Sequence, residues 1–304
     1  MKKNLLVFLA LTTLFASSCK KEDAEPTAKA ATALFYSAYG DSLVGKVDLE
    51  NGNAISDFSK GIADGIPNEQ VLGLALNTDN GDIYLTIESD PGKILKINSA
   101  GKASVLYSNS TIDGATGIAY NSVNKQIYWV NVGDRKIYTA KADGTGTLTA
   151  LYGGADVNAI GYAMELDTKN GKLYYTDFGS IYVGNLDGTG TPSILYKGNM
   201  RDTLNSPSSL FLDVEKGRIY YTDEGVDKIA SFKLDGSGDF QVLYDYETDG
   251  VDRADGLAID FVTKKVYWSE TNTNTKRVRV GNLDGSGTPA TLVSDVEVYN
   301  LILK

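Results

Sequence analysis

The chain has 304 residues, 42% apolar and 22% charged, the profile of a folded globular protein and not of a disordered or fibrous one. It holds no histidine and a single cysteine, which excludes Ser-His-Asp and Cys-His catalysis, disulfides and thiolate zinc sites. A formal net charge of −10 repels phosphate backbones, so no nucleic acid is expected as a partner.

The first predicted element is an export signal. Lys2 and Lys3 precede an uncharged apolar run of 12 residues from Leu5 to Ala16, too short to span a bilayer and suited to a signal-peptide core. Ala16, Ser17 and Ser18 lead directly into Cys19, and this arrangement resembles a bacterial lipoprotein signal. The resemblance implies that residues 1–18 are removed and that Cys19 carries the lipid, making it an anchor and not a catalyst. Residues 19–32 are small, charged and aperiodic and read as a flexible tether. Lys20 and Lys21 followed by Glu22 and Asp23 also resemble a signal that sends lipoproteins to the cell surface. The expected location is therefore the bacterial cell envelope, lipid-anchored to the outer membrane, on its periplasmic or outer side. No later segment is apolar enough to enter a membrane.

From residue 33 the chain repeats itself. Leu34-Phe35-Tyr36-Ser37, Ile83-Tyr84-Leu85-Thr86, Ile127-Tyr128-Trp129-Val130, Leu173-Tyr174-Tyr175-Thr176-Asp177, Ile219-Tyr220-Tyr221-Thr222-Asp223 and Val266-Tyr267-Trp268-Ser269-Glu270 are versions of one motif. Their first aromatics are spaced 49, 44, 46, 46 and 47 residues apart, a propeller period. Each unit continues with a second short strand, such as Lys136-Ile137-Tyr138, into a turn such as Asp143-Gly144-Thr145-Gly146 or Asp284-Gly285-Ser286-Gly287. Asp-Gly is a hairpin signal because glycine takes positive φ without steric cost, so these glycines are turn makers and not phosphate loops. A third strand (Gln241-Val242-Leu243-Tyr244) and then a fourth (Gly256-Leu257-Ala258-Ile259) complete each unit. The first unit lacks the strand upstream of Phe35, and Val298-Tyr299-Asn300-Leu301-Ile302-Leu303 at the C-terminus fits that slot. The expectation is an all-β, six-bladed propeller over residues 33–304, its four-stranded antiparallel blades closed into a ring by the C-terminal strand.

The tetrapeptides and the Leu-Asp-Gly-Ser/Thr turns resemble the YWTD repeats of six-bladed propellers in low-density-lipoprotein-receptor-type proteins. The first two units depart from that pattern, since Phe35-Tyr36-Ser37-Ala38 and Tyr84-Leu85-Thr86-Ile87 lack the acidic fourth residue. The resemblance implies a protein-interaction or scaffold role.

Residues that obey the repeat are explained by the fold, so those that break it are the candidates for function. Asp177 and Asp223 obey it, and as strand-end acids they are expected to accept loop N–H groups and not to act as a catalytic pair. With the innermost strands aligned by their exits at Asn77, Asn121, Asp167, Asp213 and Asp260, the position two before the exit reads Ala75, Ala119, Glu165, Phe211, Ala258 and Ile302. Glu165 is the anomaly, because a carboxylate on a central strand must be paired, metal-bound or in a wet channel. The loops entering the innermost strands share one face, around the channel mouth, and supply Asp113, Asn158, Tyr162, Asn205, Asp252, Arg253, Asp255 and Tyr299. Loops after the motif strands add Tyr39, Arg135, Phe178 and Glu224. Aromatics among charges suit a recognition surface.

The functional reading is a membrane-anchored, extracytoplasmic binding module that recognises a protein or glycan at the mouth and needs no cofactor. Two alternatives remain open. Six-bladed propellers of the gluconolactonase and regucalcin type hold a divalent cation at the mouth without histidine, and the matching oxygen set here would be Glu165, Asn158, Asn205 and Asp255, with calcium as the fitting ion. A purely structural envelope role is the other. Quinone-dehydrogenase and lyase propellers that rely on histidine are excluded.

Overall fold

In a computed structural model the described residues are 28–37, 42–60, 70–153, 161–199 and 204–304. The signal segment, Cys19 and most of the tether, as well as Tyr39 and Asn158, lie outside the described residues.

The strands run in chain order as β1 (Ala33–Ser37), β2 (Ser42–Asp48) and β3 (Ala54–Lys60), then β4 (Gln70–Leu76), β5 (Ile83–Glu88), β6 (Lys93–Ile97) and β7 (Ala103–Ser108). The next blade is β8 (Ala115–Asn121), β9 (Gln126–Asn131), β10 (Lys136–Lys141) and β11 (Thr149–Tyr152). It is followed by β12 (Met164–Asp167), β13 (Lys172–Asp177), β14 (Ser180–Asn185) and β15 (Ser193–Lys197). The fifth comprises β16 (Pro207–Asp213), β17 (Arg218–Asp223), β18 (Lys228–Lys233) and β19 (Gln241–Asp245). A single helical turn, α1 (Tyr246–Asp249), leads to β20 (Ala254–Asp260), β21 (Lys265–Glu270), β22 (Arg277–Asn282), β23 (Ala290–Ser294) and finally β24 (Leu301–Leu303). They form six four-stranded sheets, five in simple order and the first in the order β24-β1-β2-β3. The expected closure is present: Leu34, Phe35 and Tyr36 pair antiparallel with Leu303, Ile302 and Leu301.

The repeat motif builds this ring because side chains alternate across a strand. Its first and second aromatics face opposite sides of the blade, and each side packs on a different neighbour. Trp129 shares a core with Tyr84 and Ile94 of the preceding blade, whereas the adjacent Tyr128 packs with Leu173 and Tyr175 of the following one. The same division recurs at Tyr174 and Tyr221, at Tyr220 and Trp268, and at Tyr267 and Tyr36, where the last blade meets the first. Outer-strand tyrosines latch successive blades: the Tyr107, Tyr152 and Tyr244 hydroxyls donate to backbone carbonyls of Lys141, Asn185 and Asn282 at 2.7–2.9 Å, beside the Asp-Gly turn of the next blade. In those turns Gly144 and Gly285 take φ of 81° and 76°.

Candidate functional site

The innermost strands β4, β8, β12, β16, β20 and β24 surround the central channel and approach one another closely at their entrances. A Cβ on Gly73 would lie 2.4 Å from the Thr116 carbonyl oxygen, and one on Gly117 would lie 2.7 Å from the Tyr162 carbonyl oxygen. Glycine at these positions is a packing requirement. The residue just before each of them, five ahead of the strand exit, is Leu72, Thr116, Tyr162, Ser208, Asp255 or Tyr299, one per blade. All six line a single cavity of about 300 Å³ at the mouth.

Hydroxyls at the third position of the motif hold this ring. Thr86 Oγ1 donates to the Thr116 carbonyl at 2.6 Å, and Thr222 Oγ1 donates to the Asp255 carbonyl. Ser37 Oγ accepts the Tyr299 and Asn300 N–H groups at 3.0 and 2.9 Å, and Ser269 Oγ accepts that of Gly256 at 2.8 Å. These serines and threonines are at most 1% exposed. Thus the same motif that builds the blades fixes the backbone from which the mouth side chains project.

Asp255 is the one acid of the ring. It is 8% exposed, lines the cavity, and has no hydrogen bond to its carboxyl from any described residue. Burial raises its pKa well above the usual carboxylate range, Glu224 and Glu297 raise it further, and Arg253 opposes them. Glu88, Glu224 and Arg253 complete the charged lining, so acids outnumber bases three to one. Arg253 is already engaged, its Nη2 donating to Glu224 Oε2 at 2.8 Å. Its backbone sits in the left-handed region at φ 52°, held by an N–H bond to Asp227 at 2.7 Å and by Thr271 N–H donating to its carbonyl at 3.1 Å. On the rim, Tyr299 donates its hydroxyl to Glu297, which also takes Lys276 Nζ at 2.5 Å, and these donors hold the Glu297 carboxyl below its ordinary pKa. Tyr162 is 40% exposed, and burial together with the Glu224, Asp255 and Glu88 charges pushes its hydroxyl up.

Of the residues expected at the mouth, Tyr162, Glu224, Arg253, Asp255 and Tyr299 converge on this cavity. The other described candidates do not line it. Asp252 accepts from Asn272 Nδ2 at 2.8 Å and Thr275 Oγ1 at 2.9 Å and ties its loop to the next. Asn205 donates its N–H to Asp223 at 2.8 Å and its amide to the Gly225 carbonyl at 3.3 Å. Asp113 stands against Gly133, and its N–H is held by Asn131 at 3.0 Å. Arg135 (φ 56°) and Phe178 (58% exposed) sit on loops outside the cavity. The sequence reading missed Leu72, Thr116 and Ser208, which the register five before the exit would have picked out.

Glu165 is not at the mouth. It borders a second cavity of about 380 Å³ that shares no lining residue with the first and is walled by Leu74, Ile118, Met164, Phe211 and Ile302. Burial pushes its carboxyl up to about 8, eased only by the Leu166 backbone N–H. The described members of the oxygen set expected of a cation site are not brought together: Glu165 and Asp255 open on different cavities and Asn205 is turned to its own loop, while Asn158 lies outside the described residues. Among the described residues no three carboxylates gather as metal ligands. Of the two motif acids expected to accept loop N–H groups, Asp223 does so, whereas Asp177 accepts the Tyr182 hydroxyl at 2.9 Å. Asp223 accepts N–H groups from Asn205, Ser206, Gly225 and Val226 at 2.8–3.2 Å, and Glu270 binds Trp268 Nε1, Arg277 and Arg279.

No protein-family model matches the chain, and no curated protein matches it in sequence. Solved structures do resemble it. The nidogen/laminin complex contains a chain that is 22% identical with a TM-score of 0.74, covering 89% of this chain and 97% of that one. TolB from Acinetobacter baumannii matches at 14% identity and a TM-score of 0.65, over 90% of this chain and 66% of that one. A gluconolactonase from Xanthomonas campestris matches at 17% identity and a TM-score of 0.61, over 91% of each. At these identities the likeness establishes the fold: the protein is a six-bladed β-propeller.

Proposed function

We propose that the protein is an extracytoplasmic binding module, held on the cell envelope through lipid on Cys19, that recognises a protein or glycan ligand in the mouth of its propeller. The observation that carries this reading is the convergence of Tyr162, Glu224, Arg253, Asp255 and Tyr299 on one cavity. Rigid aromatic surface beside a desolvated charge is the composition of an interaction hot spot. The repeats' resemblance to YWTD propellers supports it, as does the likeness to a nidogen chain whose structure was determined in complex with laminin. The lipid anchor is supported by the sequence alone, through the apolar run that ends in the sole cysteine. The cation-dependent hydrolase alternative is weakened by the separation of Glu165 from Asp255 into two cavities.

The test is a screen of the full chain against protein and glycan arrays, repeated with Tyr162→Ala and Leu72→Arg. Ligands whose binding both substitutions weaken support the reading. Ligands indifferent to both, or lactone hydrolysis that depends on added calcium, would replace it.

A further inference from the structure

We propose that the mouth is a socket for an aliphatic primary ammonium, the group carried by a lysine side chain or a small alkylamine, with Asp255 as its counter-ion. This inference rests on the mouth being the recognition site and names the chemistry it takes. Asp255 is nine-tenths buried, lines the cavity and lacks any hydrogen-bond donor among the described residues. A buried carboxyl without a donor is costly, and a group that supplies both charge and hydrogen bonds relieves that cost.

The remaining charges select the sign of the ligand. Arg253 is paired with Glu224, and Lys276 on the rim with Glu297, so neither base forms an ion pair with Asp255 or Glu88, and Arg253 reaches Asp255 only through its field. A ligand carboxylate or phosphate would meet an acidic surplus with its nearest bases already paired. A cation meets the opposite.

The geometry favours an ammonium on a chain over a bare ion. A divalent cation needs six or more oxygens, several of them charged, and no such cluster is present among the described residues. An ammonium needs three acceptors. The ring offers the Asp255 carboxyl and the Thr116 and Ser208 hydroxyl oxygens, both of which are turned as donors to backbone carbonyls, of Gly161 at 2.9 Å and Ser206 at 3.2 Å, and so present lone pairs. Leu72, Val132 and the Tyr162 ring supply an apolar wall for methylenes.

The full chain is titrated with three five-residue peptides, capped at both ends and differing only at the centre: lysine, norleucine or glutamate. Pentylammonium is titrated alone. The lysine peptide is expected to bind at least about tenfold more tightly than the norleucine peptide, with no binding of the glutamate peptide. Asp255→Asn should abolish the preference for lysine, and Ser208→Ala should reduce it, a milder change that keeps the test valid if the first variant folds poorly. Glu165→Gln, in the lower cavity, should leave the preference intact. Pentylammonium binding as tightly as the peptide identifies a free amine as the source, and weaker binding identifies a lysine held in a protein. Equal affinity for lysine and norleucine, no saturable binding of either ammonium at millimolar concentration, or a lysine preference that survives both Asp255→Asn and Ser208→Ala overturns the inference. If the ammonium preference is absent but Tyr162→Ala still weakens the ligands found on the arrays, the inference fails and the mouth remains the recognition site.

Discussion

Thr222 donates its hydroxyl to the backbone carbonyl of Asp255, so the third residue of the repeat motif in one blade fixes, in the next, the one acid of the mouth ring. Scaffold and site are joined by that bond. Both residues are buried, and removing the donor leaves a carbonyl unpaired in a dry place. Thr222→Val, nearly isosteric, should lower stability by about 1–3 kcal/mol and weaken mouth ligands in the fraction that stays folded. Thermal melting and ligand titration of the purified variant check both effects. A variant as stable as the parent would show that the bond does no structural work.

Ring closure gives a second expected outcome. Deleting residues 297–304 removes β24, exposes the β1 edge and takes Val298 and Leu301 out of the core between the last and first blades. Insolubility or a large fall in melting temperature is expected. A truncated chain that melts like the intact one would mean that the terminal strand is dispensable to the ring.

Glu165 makes stability depend on pH in a defined direction. Its carboxyl titrates near 8 in the folded chain and near 4.5 when unfolded, so between those values the folded state binds more protons. Stability therefore falls as pH rises from about 4.5 to about 8, by at most a few kcal/mol because the Glu165 side chain is only half-buried. Glu165→Gln removes this slope and should be the more stable form at pH 8–9. Melting curves from about pH 4 to about pH 9 settle it, and a difference between the two proteins that stays constant from about pH 4.5 to about pH 8 would contradict the assignment.

Much of the fold was legible because its signals are local and repeated: the motif spacing, the Asp-Gly turns and a C-terminal strand fitting the one empty slot. The site was legible only in part. Sequence assigns a residue to a loop but not to the direction its side chain takes. Asp252 and Asn205 entered the candidate list for lying on mouth loops, yet their polar atoms are consumed in holding those loops together. Tyr162, Asp255 and Tyr299 entered for the same reason and do face the cavity, because they sit at the ring register five before each exit. The register chosen in the sequence, two before the exit, isolated Glu165 as an anomaly, and among the described residues no cation pairs with its carboxyl. Its distance along the strand from the ring register places it on the lower cavity and not at the mouth.

The anchor is tested apart from the propeller. Cys19→Ala should leave a folded domain that no longer partitions with membranes, since acyl chains would supply the attachment and no described helix is long and apolar enough to cross a bilayer. Fractionation of cells expressing each form gives the answer, and a variant that still sediments with membranes would require another attachment.

The most direct measurement of the central claim is hydrogen-exchange mapping of the protein with and without a ligand found on the arrays. Protection confined to the innermost-strand entrances around Thr116, Ser208, Asp255 and Tyr299 is the predicted result. Protection that instead falls on the outer strands β7, β15 and β23, or at the strand exits around Asn121 and Asp213, would place recognition elsewhere and contradict the mouth as the binding site.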